Sequence, residues 1–303
     1  MEEKVSSLGV FYMLISSICF CFMSFGIKLM YTHTNINSFE GVYIRGLVMA
    51  ILNIAYAYLL KVNVLNVPSL IVSAVLIRTI IGTIDICLNF IANKLLPISI
   101  ASSLYYTYPI VTSCGGYLIL RERISKLEFL GMFTSFAGVL LVIFYSRKGT
   151  SNTESIPLQN YIPSIILPFT STGIYLILRK IGQRVHFLVI PTWFGVVQGL
   201  TVTPIWLGMR SSNEKWNITM NGVIIILIMS IGGWLGQLFM NKSLQLEKAG
   251  RVAAVGYIQI PLMFLCDAFY FNIIITWPVV LGSVLIIICN FTVGILRMLN
   301  MID

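Results

Sequence analysis

Residues 78–142 read RTIIGTIDICLNFIANKLLPISIASSLYYTYPIVTSCGGYLILRERISKLEFLGMFTSFAGVLLV, and their patterning decides the fold class. One apolar run, carrying a single Arg and a single Asp, ends at Asn93-Lys94. A second, from Pro97 to Leu120, holds no charge, and a third opens after the cluster Arg121-Glu122-Arg123. Runs of about 20 residues match the bilayer's hydrocarbon core of about 30 Å at 1.5 Å per helical residue. Lipid offers no partner for an unpaired backbone group, so each run must be helical.

Working outward, the same punctuation predicts spans at 8–30, 38–60, 69–93, 97–120, 125–145, 161–178, 187–207, 219–243, 249–271 and 273–296. Hydrophobic residues make up 57% of the 303 residues and charged residues 10%, with mean hydropathy +0.90. Soluble domains carry about 25% charged residues, so a surface this poor in charge requires lipid around it. The run from Leu8 to Ile27 carries no charge, is too long for a signal-peptide core and lacks a small-residue cleavage pattern, so it reads as a retained first span. The six cysteines all fall inside predicted spans, which argues against structural disulfides.

The expected fold is an all-α polytopic membrane protein of ten transmembrane helices arranged as two inverted five-helix repeats. Residues 1–148 form the first repeat, 149–160 a polar linker, and 161–303 the second. With the N-terminus in the cytoplasm, twelve basic residues, among them Lys61, Arg121, Arg179, Lys242, Lys248 and Arg251, fall on the cytoplasmic side. Six fall opposite: Lys28, Lys94, Arg147, Lys148, Arg210 and Lys215. That bias predicts an integral, multi-pass protein with both termini cytoplasmic. The halves also match each other at an offset of about 151 residues: Gly82 falls on Gly233, Leu130-Gly131 on Leu281-Gly282, and Tyr105-x-x-x-Pro109 on Tyr257-x-x-x-Pro261. Five spans is an odd number, so two copies enter the membrane from opposite sides.

The segment 78–142 resembles the third to fifth spans of the drug/metabolite transporter superfamily, in its EamA branch and the related eukaryotic solute carrier 35 members. The residues that carry the likeness are Arg78-x-x-x-Gly82, Ser99-Ile-Ala-Ser before Pro109, Leu120-Arg-Glu122-Arg, and Gly131 with Gly138. Phe39–Ala50, with Arg45, is similar to the second span of that family. Phe271-Asn272 departs from it, standing where a charged turn is expected. The resemblance implies a ten-helix carrier of small organic solutes and leaves the solute open.

The candidate substrate-binding residues are Arg45, Arg78, Asp85, Asn89, Tyr105, Pro109, Tyr257 and Pro261. A central Arg costs about 2.5–3.5 kcal/mol on insertion scales, so it calls for a reason. Arg78, Gly82, Asp85 and Asn89 share one helical face. That stripe is either a cavity wall, with Arg78 attracting an anion and Asp85 carrying a proton or counter-charge, or an internal charge pair that fixes packing. Pro109 and Pro261 bend helices at equivalent places, which points to a central site. Tyr105 and Tyr257, one turn earlier, either line that site together or pack at helix crossings. Lys28, Glu40 and Asp267 read as interfacial, and Gln198, Gln237, Gln259 and Asn241 as interhelical partners.

No metal-ligand cluster, phosphate loop or nucleophile elbow surrounds the two histidines, so an enzyme, a cofactor and a metal are not expected. The net charge of +9 is accounted for by span ends, so nucleic acid is not expected as a partner. Asn217-Ile218-Thr219 is a glycosylation sequon that abuts the membrane and is expected to stay unused. The functional expectation is a secondary transporter of a small organic metabolite bearing an anionic group, by uniport, exchange or proton coupling at a midplane cavity. Its partners are that solute and membrane lipid, with a homodimer allowed. The alternative is a transport-inactive scaffold or sensor of the same fold, marked by Arg78 paired directly with Asp85 and no continuous cavity.

Overall fold

The computed structural model describes residues 2–34, 36–95, 101, 104–122, 126–146, 157–209 and 219–271, with single positions and short pieces between 277 and 288. Its regular elements among these residues are helical. They are α1 (Glu2–His33), α2 (Ser38–Leu59), α3 (Ser69–Leu95), α4 (Tyr108–Leu120), α5 (Lys126–Ser146), α6 (Ile162–Ile181), α7 (Val189–Met209), α8 (Met220–Leu246), α9 (Ala249–Val255) and α10 (Gln259–Phe271). Five described stretches are long and apolar enough to cross a membrane by length and composition: Leu8–His33, Ser38–Leu59, Ser69–Leu95, Gln159–Arg184 and Met220–Leu246. Most of the expected tenth span, 273–296, most of the linker, the Asn217 sequon and the basic residues Arg147, Lys148, Arg210 and Lys215 lie outside the described residues.

Helix ends follow local chemistry. Asn37 and Glu40 form a reciprocal capping box at the start of α2: Asn37 Oδ1 accepts from the Glu40 amide at 2.9 Å, and Glu40 Oε2 accepts from the Asn37 amide at 2.9 Å. Thr219 caps α8 through the Gly222 amide. Gly182 closes α6 at φ +56°, a conformation that suits a residue without Cβ.

Packing pairs helices across the two halves. α1 lies along α8, α2 along α7 and α3 along α6, while α4 packs on α6 and α9. α3 also meets α7, α2 meets α8, and α1 meets both α9 and α10. Small residues set the closest crossings. A Cβ on Gly232 would lie 2.8 Å from the Cys19 carbonyl oxygen, on Gly26 3.0 Å from the Met229 Cα, and on Gly195 2.9 Å from the Ala50 amide nitrogen. In lipid, where apolar burial between helices gains little, such backbone contact supplies the association energy. Leu47, Ile51, Ile54 and Tyr58 of α2 and Leu200 and Leu207 of α7 turn outward and exposed, as lipid-facing side chains do.

Candidate functional site

α2 and α3 each carry an arginine into the interior, and both are 0% exposed. Arg45 donates from Nη1 to Gln198 Oε1 at 3.2 Å, and Gln198 Nε2 in turn donates to the Val42 carbonyl at 2.6 Å. Arg78 donates from Nη2 to Gln237 Oε1 at 2.7 Å. The two guanidiniums share one aromatic ring: Phe194 of α7 has its centroid 5.8 Å from Arg45 Cζ and 4.6 Å from Arg78 Cζ. Nε and Nη2 of Arg45 and Nε and Nη1 of Arg78 are buried without a hydrogen-bond partner among the described residues. Neither arginine has a carboxylate ion-pair partner there. Two desolvated cations held by neutral amides and a ring are a costly arrangement that an anion would relieve.

Asp85 lies two turns along α3 from Arg78. Its Oδ1 accepts two hydroxyl hydrogen bonds from α6, Thr170 Oγ1 at 2.6 Å and Ser171 Oγ at 2.7 Å. Asn89 accepts at Oδ1 from Asn93 Nδ2 at 3.0 Å. Arg45, Asp85, Asn89, Tyr105, Gln237 and Gln259 line a single cavity of about 220 Å³, which extends to Lys28 and Thr32 at the end of α1. That volume is below the about 300–1,000 Å³ of drug-sized pockets and suits a metabolite.

The polar face of α3 is thus divided among three neighbours: Arg78 against Phe194 and Gln237, Asp85 against α6, and Asn89 at the cavity. Arg78 stands behind Gln237 and is not among the cavity-lining side chains. The prolines differ from expectation. Neither bends a continuous helix: the chain turns at Tyr106-Thr107 before Pro109, and passes through a 3₁₀ turn at Gly256–Ile258 before Pro261. Each proline then sits in the first turn of the resumed helix, where its missing N–H removes no bond. Tyr105 and Tyr257 also part company. Tyr105 lines the cavity, whereas Tyr257 is 0% exposed in the hydrophobic core, its Oη without a partner among the described residues. The 3₁₀ turn explains this, since Tyr257 sits inside the break while Tyr105 precedes its own.

Lys28 lines the cavity, Glu40 serves the α2 cap, and the Asp267 side chain lies outside the described residues. Phe194, Thr170 and Ser171 were not visible as site residues in the sequence, because an isolated Phe, Thr or Ser in an apolar run carries no signal of its own. Gln198 and Gln237 were legible as interhelical partners, but not as partners of the two arginines.

Residues 7–144 match the family described as the EamA-like transporter family. That match lies in the first half of the chain and, with the relatives below, supports the expected likeness to the drug/metabolite transporter superfamily. Among relatives, it is similar to Solute carrier family 35 member G1 of Homo sapiens, 27% identical over 71% of this chain and 60% of that protein. The Mus musculus protein of the same name is 25% identical over 74% of this chain and 62% of its own. An uncharacterized transporter of Synechocystis, sll1319, is 22% identical over 84% and 83%. The chain therefore spans about three fifths of the length of the two solute-carrier relatives. A crystal structure with 14% identity overlays on 97% of each chain with TM-score 0.76, which shows a shared fold. The EamA match and the apolar helices make this an integral, multi-pass membrane protein.

Proposed function

We infer that this EamA-type chain is a secondary transporter of a small organic metabolite bearing an anionic group, working by alternating access at the midplane cavity. One observation carries the reading: two fully buried guanidiniums beside the cavity keep four nitrogens unpaired. On Arg45 the unpaired atoms, Nε and Nη2, form one edge of the guanidinium fork, the geometry that binds an oxyanion through two parallel bonds. Asp85 then supplies a carboxylate in the same cavity that can carry a proton or a counter-charge during uniport, exchange or symport.

Ten spans in two inverted repeats complete the reading. Exchanging α1 with α6, α2 with α7, and α3 with α8 maps the α1–α8 pair onto α6–α3, α2–α8 onto α7–α3, and α2–α7 onto itself. The pair α4–α6 maps onto α10–α1, and interrupted helices occupy equivalent places in both halves. This packing supports a two-fold relation and a site at the interface of the repeats. Arg179, Lys242, Arg251 and the start of α1 gather at one end of the bundle, which supports cytoplasmic termini. The inactive-scaffold alternative predicts Arg78 on Asp85 and no cavity; Gln237 and two hydroxyls take those places instead.

The test is counterflow in liposomes containing the purified protein, with labelled carboxylates, organic phosphates and quaternary ammonium compounds as the panel. The expected result is uptake of an anion that Arg78→Gln abolishes while the protein still folds and inserts. A permanently cationic best substrate, with uptake indifferent to both arginines, overturns the reading.

A further inference from the structure

The helix-crossing glycines differ in what a side chain on them would strike. At Gly26, Gly195 and Gly232 the obstacle includes the backbone of a neighbouring helix. At Gly82 and Gly233 it is a buried arginine. A Cβ on Gly82 would lie 2.7 Å from Arg78 Nη1 and 2.9 Å from Phe194 Cε2. A Cβ on Gly233 would lie 2.6 Å from Arg45 Nε, 3.0 Å from Met23 Sδ and 3.2 Å from Arg45 Nη2. The sequence places Gly82 and Gly233 at equivalent positions of its halves.

We propose that Gly82 and Gly233 are the seats of the Arg78 and Arg45 guanidiniums, positioning residues that hold the unpaired nitrogens in place for an anionic solute. Arg45 reaches across from α2 to lie on the α8 backbone at Gly233. Arg78 folds back along its own helix over Gly82, flat enough for Phe194 to cover it at 4.6 Å. Each guanidinium is then fixed on three sides, by a glutamine amide, the shared ring and a bare stretch of helix. Its remaining N–H groups stay unsatisfied. An alanine at either glycine meets side chains, not a neighbouring backbone: at Gly233 the arginine and the flexible Met23, at Gly82 the arginine and the Phe194 ring, so the arginine is the group that can move. The nearest free space is the cavity bordered by Gln237 and Arg45. The proposal takes its purpose from the anion-carrier reading, yet the placement itself is testable without any solute.

The experiment treats the purified protein in lipid nanodiscs with phenylglyoxal, which modifies accessible guanidiniums, and maps adducts by peptide mass spectrometry. In the wild type both arginines are expected to stay unmodified. Gly82→Ala should raise the adduct at Arg78 several-fold and leave Arg45 protected, while Gly233→Ala should do the reverse. Gly232→Ala, a backbone-contact glycine, should lose thermal stability without this selectivity. If an alanine variant proves unstable, Arg45→Gln/Gly233→Ala should recover the stability of Arg45→Gln alone, because the arginine is gone from that notch and only the flexible Met23 side chain remains near it. Unchanged adducts, equal rises at both arginines, or a double variant that fails to recover overturn the proposal. The anion-carrier reading stands or falls separately, on counterflow with Arg45→Gln and Arg78→Gln.

Discussion

Among the described residues, the two ends of the bundle show different contacts. At the end where α1 begins, charge joins the halves. Glu122, after α4, holds Arg179 Nε at 2.7 Å through Oε1 and accepts the Ala249 amide at 3.1 Å through Oε2. Arg251 and Glu247 pair at 3.0 Å with side chains only 6% and 2% exposed. Ser243 Oγ donates to the Gly9 carbonyl at 2.7 Å, and Gly250 packs against Ser113. At the opposite end the cavity reaches Lys28 and Thr32, and the described contacts there include aromatic ones: His33 Nε2 meets Tyr270 Oη at 3.0 Å, and Phe25 meets the same ring edge-on at 5.3 Å. The sequence differs in the same way, for at the offset of about 151 residues the positions that match Glu122, near residue 273, are isoleucines. The lesson is that similar helix pairing in the two halves does not bring the same contacts to both ends. On the transporter reading proposed above, opening the charged end would separate the partly exposed Glu122–Arg179 pair, while the buried Arg251–Glu247 pair, which lies within one half, would stay together.

The largest break in that comparison should come from Arg251→Ala. Removing one partner leaves Glu247 as a buried charge without its arginine, a loss of about 3–5 kcal/mol. Thermal unfolding in detergent should show it, and a shift no larger than that of a surface variant would mean the pair is not buried in the working protein. Next is Gly232→Ala, where a methyl would strike the backbone of α1. Overpacking there should cost about 1–3 kcal/mol in the same assay.

Glu122→Gln sharpens the comparison because it changes the balance of states more than the fold. Weakening a charge-assisted hydrogen bond of about 1.5 kcal/mol shifts the equilibrium roughly tenfold toward opening at the charged end. Ser113→Cys should then react faster with an impermeant maleimide from that side, and an unchanged rate would remove the gate. A smaller effect separates the two tyrosines. Tyr257→Phe deletes a hydroxyl that has no partner among the described residues, so it should be neutral or stabilising by up to about 1 kcal/mol and leave uptake intact. Tyr105→Phe, at the cavity, should weaken apparent affinity in counterflow. Equal loss of uptake in both would restore the symmetric site.

The smallest expected effect is a pH dependence at the charged end. His186, in the link between α6 and α7, is held below its ordinary value by burial and by the nearby Lys242 ammonium. A depressed histidine favours the folded state when neutral, so its contribution is present above about pH 6.5 and is lost as pH falls through the lowered value. His186→Gln should flatten that shallow slope in thermal stability between pH 7 and pH 5. A slope of the opposite sign would place an anion, not Lys242, beside the ring.

The sequence alone determined the helices, because lipid leaves a chain no other way to satisfy its backbone. The expected spans at 38–60, 69–93 and 219–243 coincide with α2, α3 and α8 to within a few residues. It also marked Arg45, Arg78 and Asp85, since intramembrane charge is too costly to be incidental. Tertiary structure decided what those charges meet. Whether Arg78 faces Asp85 or Gln237 depends on how α3 is rotated against α6, α7 and α8, and side-chain packing across helices sets that rotation. Spacing along one helix does not. The same holds for Tyr105 and Tyr257: identical spacing to a proline places them one turn before it, but the local break of each helix sends one to the cavity and the other to the core.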